Sequence, residues 1–497
     1  MHILYYIKRY ALFKKKSIKK SISFFKFRKK KILLLGNDRL KYDFKYMFST
    51  ANIKGEILYN NDNIDYSDDK KVIFKLNELN EKILKKYYIV VCERKNEQIY
   101  KILADNNVSN NYTFIEDLAF YLNDDRDYFG EIFLKRVLDH FHKPHFEYYT
   151  SNGELFKKMI YTDSIEGKFC LEPFIYSNVQ PYGYVYSCCP SYGYNKIGNI
   201  LFKSPKKVWN SNAAKLQRLA ILNKSFAFCN DNNLCPFMTN EKKSPLSKNR
   251  FKEFNIAKSP EKLYIAIDES CNLKCKSCRN SFYNAKGWDL KLRMHLANKL
   301  IRSNWCNNAK KLVIAGQGEV FFSKVYEKMV FHSKIRKRKE IEFLTNGTLL
   351  NKEKLDKVCN IYDNINICIT IDAATKETYS KLRIGGNFDK LCKNLEYIGK
   401  MRKNGKVKRV EYLFVVQKDN YLEMPDYIEL AKKYNADDVS FSQISDWGTY
   451  SKEEFKNISM IDKDGKPKPE LKKVLENKAF RKANISKFSN ILKFIEK

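Results

Sequence analysis

Three cysteines, Cys271, Cys275 and Cys278, stand in a C-x3-C-x2-C arrangement on the segment that runs from Asp268 to Cys278. Three thiolates on so short a loop can hold three irons of a 4Fe-4S cubane and leave the fourth iron open to another ligand. A structural zinc ion needs four ligands, and this loop supplies three with no histidine nearby to complete a tetrahedron. A second group, Cys170, Cys188, Cys189, Cys229 and Cys235, lies upstream, and the other five of the thirteen cysteines are scattered. Four thiolates from that group would close a second cluster, although zinc suits four thiolates equally. Thirteen cysteines with no secretory signal ahead of them point to a reducing, cytoplasmic setting and to metal or catalytic thiols rather than disulfides.

The elements that must position the triplet follow from periodicity. Apolar strands at 263–267, 311–315, 341–344, 365–371, 410–416 and 438–442 alternate with amphipathic helices near 290–303, 324–336, 352–359, 388–404 and 424–434. Six strands separated by five helices imply a parallel sheet covered by helices on one side and curled as an open barrel, with its active site at the strand C-terminal ends. The cysteine triplet follows the first of these strands directly. After the second strand comes Gly316-Gln317-Gly318-Glu319, where glycines let the backbone approach a ligand and a carboxylate can pair with an ammonium group. In the fourth strand, alternation puts Cys368, Thr370 and Asp372 on one face, Cys368 as a buried filler thiol.

The triplet resembles the signature of radical SAM enzymes, and the resemblance extends from about residue 263 to 447. It implies that the open iron chelates the amino and carboxylate groups of S-adenosylmethionine (SAM), that an electron from the cluster cleaves the sulfonium carbon–sulfur bond, and that the 5'-deoxyadenosyl radical abstracts a substrate hydrogen. It further implies that Gly316, Gly318 and Glu319 hold the SAM amino group, that Thr370 and Asp372 lie in the ribose-contacting segment, and that Arg383 meets the SAM carboxylate. Gln417, followed by Asn420, is a polar contact to SAM or substrate. The residue before the last cysteine, often aromatic in that family, is Ser277, which leaves Phe282 for adenine stacking.

The upstream group also resembles a known family. Cys170-Leu171-Glu172-Pro173, Gly183 ahead of Cys188 and Cys189, Gly198-Asn199-Ile200, Trp209-Asn210-Ser211, and then Cys229 and Cys235 are similar to the SPASM domain. That resemblance implies an auxiliary 4Fe-4S cluster on Cys170, Cys188, Cys229 and Cys235, with Cys189 able to replace Cys188. Two departures are visible: the domain precedes the barrel, and the last pair is spaced C-x5-C, too sparse for two auxiliary clusters.

Residues 1–31 carry twelve Lys or Arg and no acid, interleaved with aromatic residues, which suits either a solvated basic arm or peripheral contact with an anionic membrane surface. Buried strands at 32–36 and 88–92 with helices near 76–84 and 98–104 suggest a small Rossmann-like α/β domain over 32–125, slightly similar to the nucleotide-sugar-type modules of polysaccharide proteins. A dinucleotide fingerprint is missing, since only Gly36 stands where three glycines are needed. His140, His142 and His145 fall in a helical connector, 126–165, and are read as surface histidines. The formal charge of +36 comes with abundant Asn, Ile and Tyr throughout, so no specific nucleic-acid partner is inferred.

The expected fold is therefore α/β. It comprises a Rossmann-like domain, a connector, a SPASM-like domain over 166–240, an open (β/α)6 radical SAM barrel over 258–447, and a polar helical tail over 448–497. The expected function is a radical SAM oxidoreductase or carbon-centre-modifying enzyme acting on a sugar nucleotide or glycan precursor. It would be fed by an electron donor such as flavodoxin or ferredoxin. A radical SAM peptide or protein maturase is the enzymatic alternative, and a non-catalytic iron–sulfur or zinc-binding scaffold the alternative of another class.

Overall fold

The structure is a computed structural model that describes residues 31–36, 53–58, 72–92, 97–106, 108, 112–114, 170–190, 196–222, 229, 235, 259–314, 317–332, 335, 339–462, 465–485, 491 and 494. The basic arm up to residue 30, the connector with its three histidines, and Gly316 lie outside the described residues. The chain divides into two compact units: residues 1–174, 186–203 and 207–257 form one, and residues 175–185, 204–206 and 258–497 the other.

In the first unit, strands β1 (Lys31–Gly36), β2 (Ile53–Leu58), β3 (Val72–Lys75), β4 (Tyr87–Cys92) and β5 (Tyr112–Phe114) make a sheet in the order β3-β2-β1-β4-β5. Every pairing is parallel. Ile32, Leu33, Leu34 and Leu35 of the central strand are fully buried, which a parallel sheet covered on both faces requires. Leu33, Leu35, Ile57, Ile89 and Val91 pack with Ile99 and Leu103 of helix Glu97–Asp105 in one core. Strands β2, β3 and β5 escape a reading of hydrophobic runs. β2 interrupts its apolar residues with Lys54, Gly55 and Glu56, and the other two are very short.

The second unit is built on parallel strands β9 (Lys262–Ile265), β10 (Lys311–Ile314), β11 (Glu340–Thr345), β12 (Asn364–Thr370), β13 (Arg409–Val416) and β14 (Asp438–Gln443), in sequential order across the sheet. Helices Gly287–Arg302, Lys324–Val330, Lys352–Ile361, Phe388–Lys403 and Met424–Lys433 fall between them, and a short helix, Lys376–Leu382, is added after β12. Several of these helices are started by a side chain that accepts from a free N-terminal N–H: Ser323, Asn351, Thr375 and Asn387 each cap one. Ile365, Ile367 and Ile369 are buried on one face of β12. On the other, toward the strand N-termini, Lys311 pairs with Glu340 and Glu342 at 2.7 Å each, and Arg409 pairs with Glu411 at 3.0 Å and Asp438 at 2.8 Å.

The sheet does not end at β9. Strand β6 (Tyr176–Val179) pairs parallel with β9, matching Val179 to Ile265, and turns back as β7 (Tyr184–Tyr186). The turn places Tyr182 at φ +61 and Gly183 at φ +84, a left-handed pair that costs glycine little. Residues 175–185 thus belong to the unit of strands β9–β14 although the sequence attaches them to the cysteine-rich segment. Strand β8 (Lys196–Asn199) belongs to the first unit. The tail beyond 448 packs on β14: Val439 N donates to Asn484 O at 3.0 Å, and Phe441 and Phe480 meet edge to face. Among the described residues no helix is long and apolar enough to cross a membrane.

Candidate cluster and SAM site

Cys271, Cys275 and Cys278 lie on the loop that leaves β9, and the loop is fixed at both of its ends. Cys271 N donates to Tyr283 O at 2.9 Å, Lys274 N to Ile384 O at 2.9 Å, and Cys278 N to Cys275 O at 2.9 Å, which closes a tight turn around the last two thiols. Beneath the loop, Asp268 accepts from Ser270 N and Oγ and from Ser323 Oγ, while its backbone carbonyl accepts from Tyr326 Oη at 2.9 Å. The fully buried Arg293 reaches this base from helix Gly287–Arg302. It pairs with Glu269 at 2.7 Å and Asp289 at 3.3 Å, and donates to Ile267 O, Tyr182 Oη and Tyr283 Oη. Sequence periodicity marks helical positions but not which helical arginine is buried among acids, so Arg293 goes unread there.

Each of the three sulfurs has an N–H directed at it. Leu273 N donates to Cys271 Sγ at 3.4 Å, Arg383 Nη1 to Cys275 Sγ at 3.3 Å, and Arg279 Nη2 to Cys278 Sγ at 3.6 Å. Asn346 Nδ2 adds a longer contact to Cys271 Sγ at 3.9 Å. Burial pushes the Cys271 thiol up to about 11 against the pull of Arg279, and it raises Cys275 against the pull of Arg383. Two guanidiniums and a backbone amide aimed at the three sulfurs, two of which burial would otherwise keep protonated, are the surroundings of metal-bound thiolates. The donor set fits a cluster.

Glu319 and Gly318 are placed where the sequence puts them, after β10, but their contacts face the protein. Glu319 is buried, and its carboxylate accepts from Thr345 Oγ1 at 2.6 Å, Asn346 N at 2.7 Å and Phe321 N at 3.1 Å. Its pKa is raised by burial and drawn back by those donors. Glu319 N donates to Ser270 O at 2.8 Å, and a Cβ on Gly318 would stand 2.6 Å from both Asp268 O and Ser270 O. The glycine is therefore needed for the approach of this turn to the cysteine loop.

Asp372 and Arg383 form a buried ion pair at 2.7 Å. Asp372, at φ +62, also accepts from Val415 N at 2.8 Å, and Arg383 Nε donates to Ile371 O at 3.3 Å. Burial lowers the Arg383 pKa, but Asp372 and Cys275 more than reverse it. Arg383 Nη2, although ion-paired, has no aligned hydrogen-bond acceptor, and the buried hydroxyl of Tyr379 has none either. A buried hydroxyl without an acceptor, beside the Arg383 guanidinium, fits a polar ligand such as the carboxylate of SAM.

Thr370 is half-buried at the end of β12, and Gln417 is buried beyond β13, where its backbone N–H donates to Asn420 Oδ1 at 2.8 Å. Asn420 Nδ2 donates to Asp372 O and Val415 O, joining the ends of β12 and β13. Phe282 is 57% exposed and lies against Gly385. Cys368 is buried, its Sγ 3.8 Å from Glu411 Oε2, in keeping with a filler thiol.

In the first unit, burial raises the pKa of Cys170, Cys188 and Cys229, the last to about 12. Neighbouring thiols raise them further: Cys229 and Cys235 act on Cys170, and Cys170, Cys189, Cys229 and Cys235 act on Cys188. Cysteines from three separate stretches of the sequence are brought within electrostatic reach of Cys170 and Cys188, a donor set that fits a four-thiolate site. Among the described residues no three His, Cys, Asp or Glu side chains close around the position of a single ion. Arg218 holds the neighbouring scaffold, donating to Pro173 O and Trp209 O at 2.9 Å each and stacking on the Trp209 ring.

Residues 266–431 match the model of the Radical SAM superfamily, and residues 170–236 match that of an iron-sulfur cluster-binding domain, SPASM. The chain carries a radical SAM domain and a SPASM domain. A radical SAM domain takes a 4Fe-4S cluster and SAM, and a SPASM domain an auxiliary iron–sulfur cluster. A curated relative, the probable GTP 3',8-cyclase of Methanococcus maripaludis, is 27% identical over 132 residues, which are 27% of this chain and 43% of that protein. Among solved structures, Streptococcus suis SuiB is 19% identical with a TM-score of 0.32, covering 46% of this chain and 48% of that one. The structure of anSMEcpe with bound AdoMet is 22% identical with a TM-score of 0.31, covering 45% and 57%. The chain thus spans less than two thirds of each of these relatives. The SPASM match includes β6 and β7, the strands that pack with the radical SAM domain.

Proposed function

We propose that the protein is an enzyme that reductively cleaves SAM at a 4Fe-4S cluster held by Cys271, Cys275 and Cys278. The observation that carries this reading is the set of N–H donors aimed at all three sulfurs, beside the Asp372–Arg383 ion pair and the buried Tyr379 hydroxyl, which has no acceptor. When bound, the cluster and SAM supply one-electron cleavage of the sulfonium carbon–sulfur bond and a radical that takes a substrate hydrogen.

This chain's residues bind, orient and shield. Arg383, its guanidinium fixed by Asp372, meets the SAM carboxylate. Because Glu319 spends its carboxylate on Thr345, Asn346 and Phe321, the backbone of residues 317–319, rather than that carboxylate, takes the SAM amino group. Thr370 and Gln417, at the ends of β12 and β13, are the polar groups left for ribose and substrate. The electron comes from a one-electron donor of flavodoxin or ferredoxin type. Cys170, Cys188, Cys229 and Cys235, with Cys189 in reserve, hold the auxiliary cluster.

The unit around β9–β14 is read as an open radical SAM barrel, and the sheet β3-β2-β1-β4-β5 as Rossmann-like. In that strand order the connections diverge between β1 and β4, the place where doubly wound sheets take nucleotides. This supports a sugar nucleotide or glycan precursor as substrate. The test is anaerobic reconstitution, reduction with dithionite and measurement of 5'-deoxyadenosine with sugar nucleotides or peptides added. Stimulation by a sugar nucleotide supports the substrate reading, stimulation by a peptide alone replaces it with a maturase, and no SAM cleavage with intact iron sinks the enzymatic reading.

A further inference from the structure

Arg279 follows the last cysteine of the triplet, and the reading above uses it only as the donor to Cys278. It is buried, and its guanidinium meets three acceptors: Nη1 donates to Glu269 O at 2.6 Å, and Nη2 to both Gln317 O and Cys278 Sγ, the latter at 3.6 Å. A planar fork can serve two carbonyls and a sulfur together, which a lysine ammonium on a flexible stem cannot do in fixed geometry. The residues that carry both carbonyls are linked through their side chains to the β6–β7 hairpin. Gln317 Nε2 donates to Gln180 Oε1 at 3.3 Å, and Gln180 Nε2 donates to Asn178 Oδ1 at 2.6 Å. Glu269 is held by Arg293, which also donates to Tyr182 Oη at 3.2 Å. Gln180 and Tyr182 both belong to the segment matched as SPASM, and within their own compact unit they reach the loop that carries the triplet.

We propose that Arg279 is a positioning residue that raises the reduction potential of the cluster on Cys271, Cys275 and Cys278, and that the β6–β7 hairpin keeps its guanidinium on Cys278 through Gln180 and Gln317. The proposal rests on reading those cysteines as cluster ligands. Hydrogen bonds to ligating sulfurs and local positive charge stabilise the reduced, more negative form of an iron–sulfur cluster.

The experiment is a redox titration of the reconstituted full-length protein, following the electron paramagnetic resonance signal that changes on adding SAM. Only the cluster with an open iron responds in that way. Arg279→Gln and Arg279→Met are expected to keep wild-type iron and to be harder to reduce by about tenfold in the equilibrium constant, about 59 mV for one electron. Gln180→Leu is expected to shift the potential in the same direction by less. An unchanged potential in iron-loaded Arg279→Gln or Arg279→Met overturns the proposal. So does loss of the cluster from both, because Arg279 would then serve assembly rather than potential. An unchanged potential in Gln180→Leu overturns the role of the hairpin. Should the wild type hold no SAM-responsive cluster, the reading of the site itself fails, and Arg279 with it.

Discussion

The two cysteine groups solve one problem, keeping thiolates in a dry place, by different means. At Cys271, Cys275 and Cys278 every sulfur has an N–H directed at it, and two arginines oppose the effect of burial. At Cys170, Cys188 and Cys229 the terms added to burial are chiefly other thiols, which make each deprotonation harder. The first group is held by strands, turns and arginines that act on it directly. The second gathers like groups that only a metal or cluster reconciles, so its order depends on what it holds.

The largest expected effect would separate the two sites completely. Cys275→Ala should abolish 5'-deoxyadenosine formation and lower iron from about eight to about four per chain, with the upstream cluster retained. Iron assay and product chromatography check this, and loss of all iron would show that the sites are not independent. Next, Cys170→Ser should remove the upstream cluster and lower the melting temperature of the first unit, yet leave SAM cleavage measurable in the absence of substrate. Abolished cleavage would break the contrast between a catalytic and an auxiliary site.

Gly318→Ala should act on the first group alone. Its Cβ would enter the space of Asp268 O and Ser270 O, a misfit expected to cost about 1–3 kcal/mol. Denaturant unfolding and iron retention should both report it, with the upstream iron unchanged. A pH scan of metal-free protein comes next. A thiol whose folded pKa is raised stabilises the fold fully below its unfolded value and loses that contribution as pH climbs toward the folded one. Stability should therefore fall between about 9 and about 12 through Cys229, and Cys229→Ser should blunt the fall more than Cys271→Ser does, since Cys271 reaches only about 11. The smallest effect is expected from Thr345→Val, which removes one of three donors from buried Glu319 and should cost about 1 kcal/mol.

By itself the sequence determined the chemistry. The spacing of Cys271, Cys275 and Cys278 after a short apolar strand, and the recurrence of strand and helix from 262 to 443, were legible because thiolate spacing and hydrophobic period are local properties of the chain. Tertiary structure decided what those residues touch. That Glu319 faces Thr345 and Asn346, that Arg383 divides itself between Cys275 and Asp372, and that Arg279 reaches Gln317 are contacts beyond the reach of one helical turn or one strand's alternation. No local period encodes them. The same holds for β6, whose four residues carry no strong pattern and which joins β9 because a parallel sheet edge accepts backbone hydrogen bonds from any strand that can bury its side chains there. Residue types fixed which reaction is available, while long-range packing fixed which groups are free to take part in it.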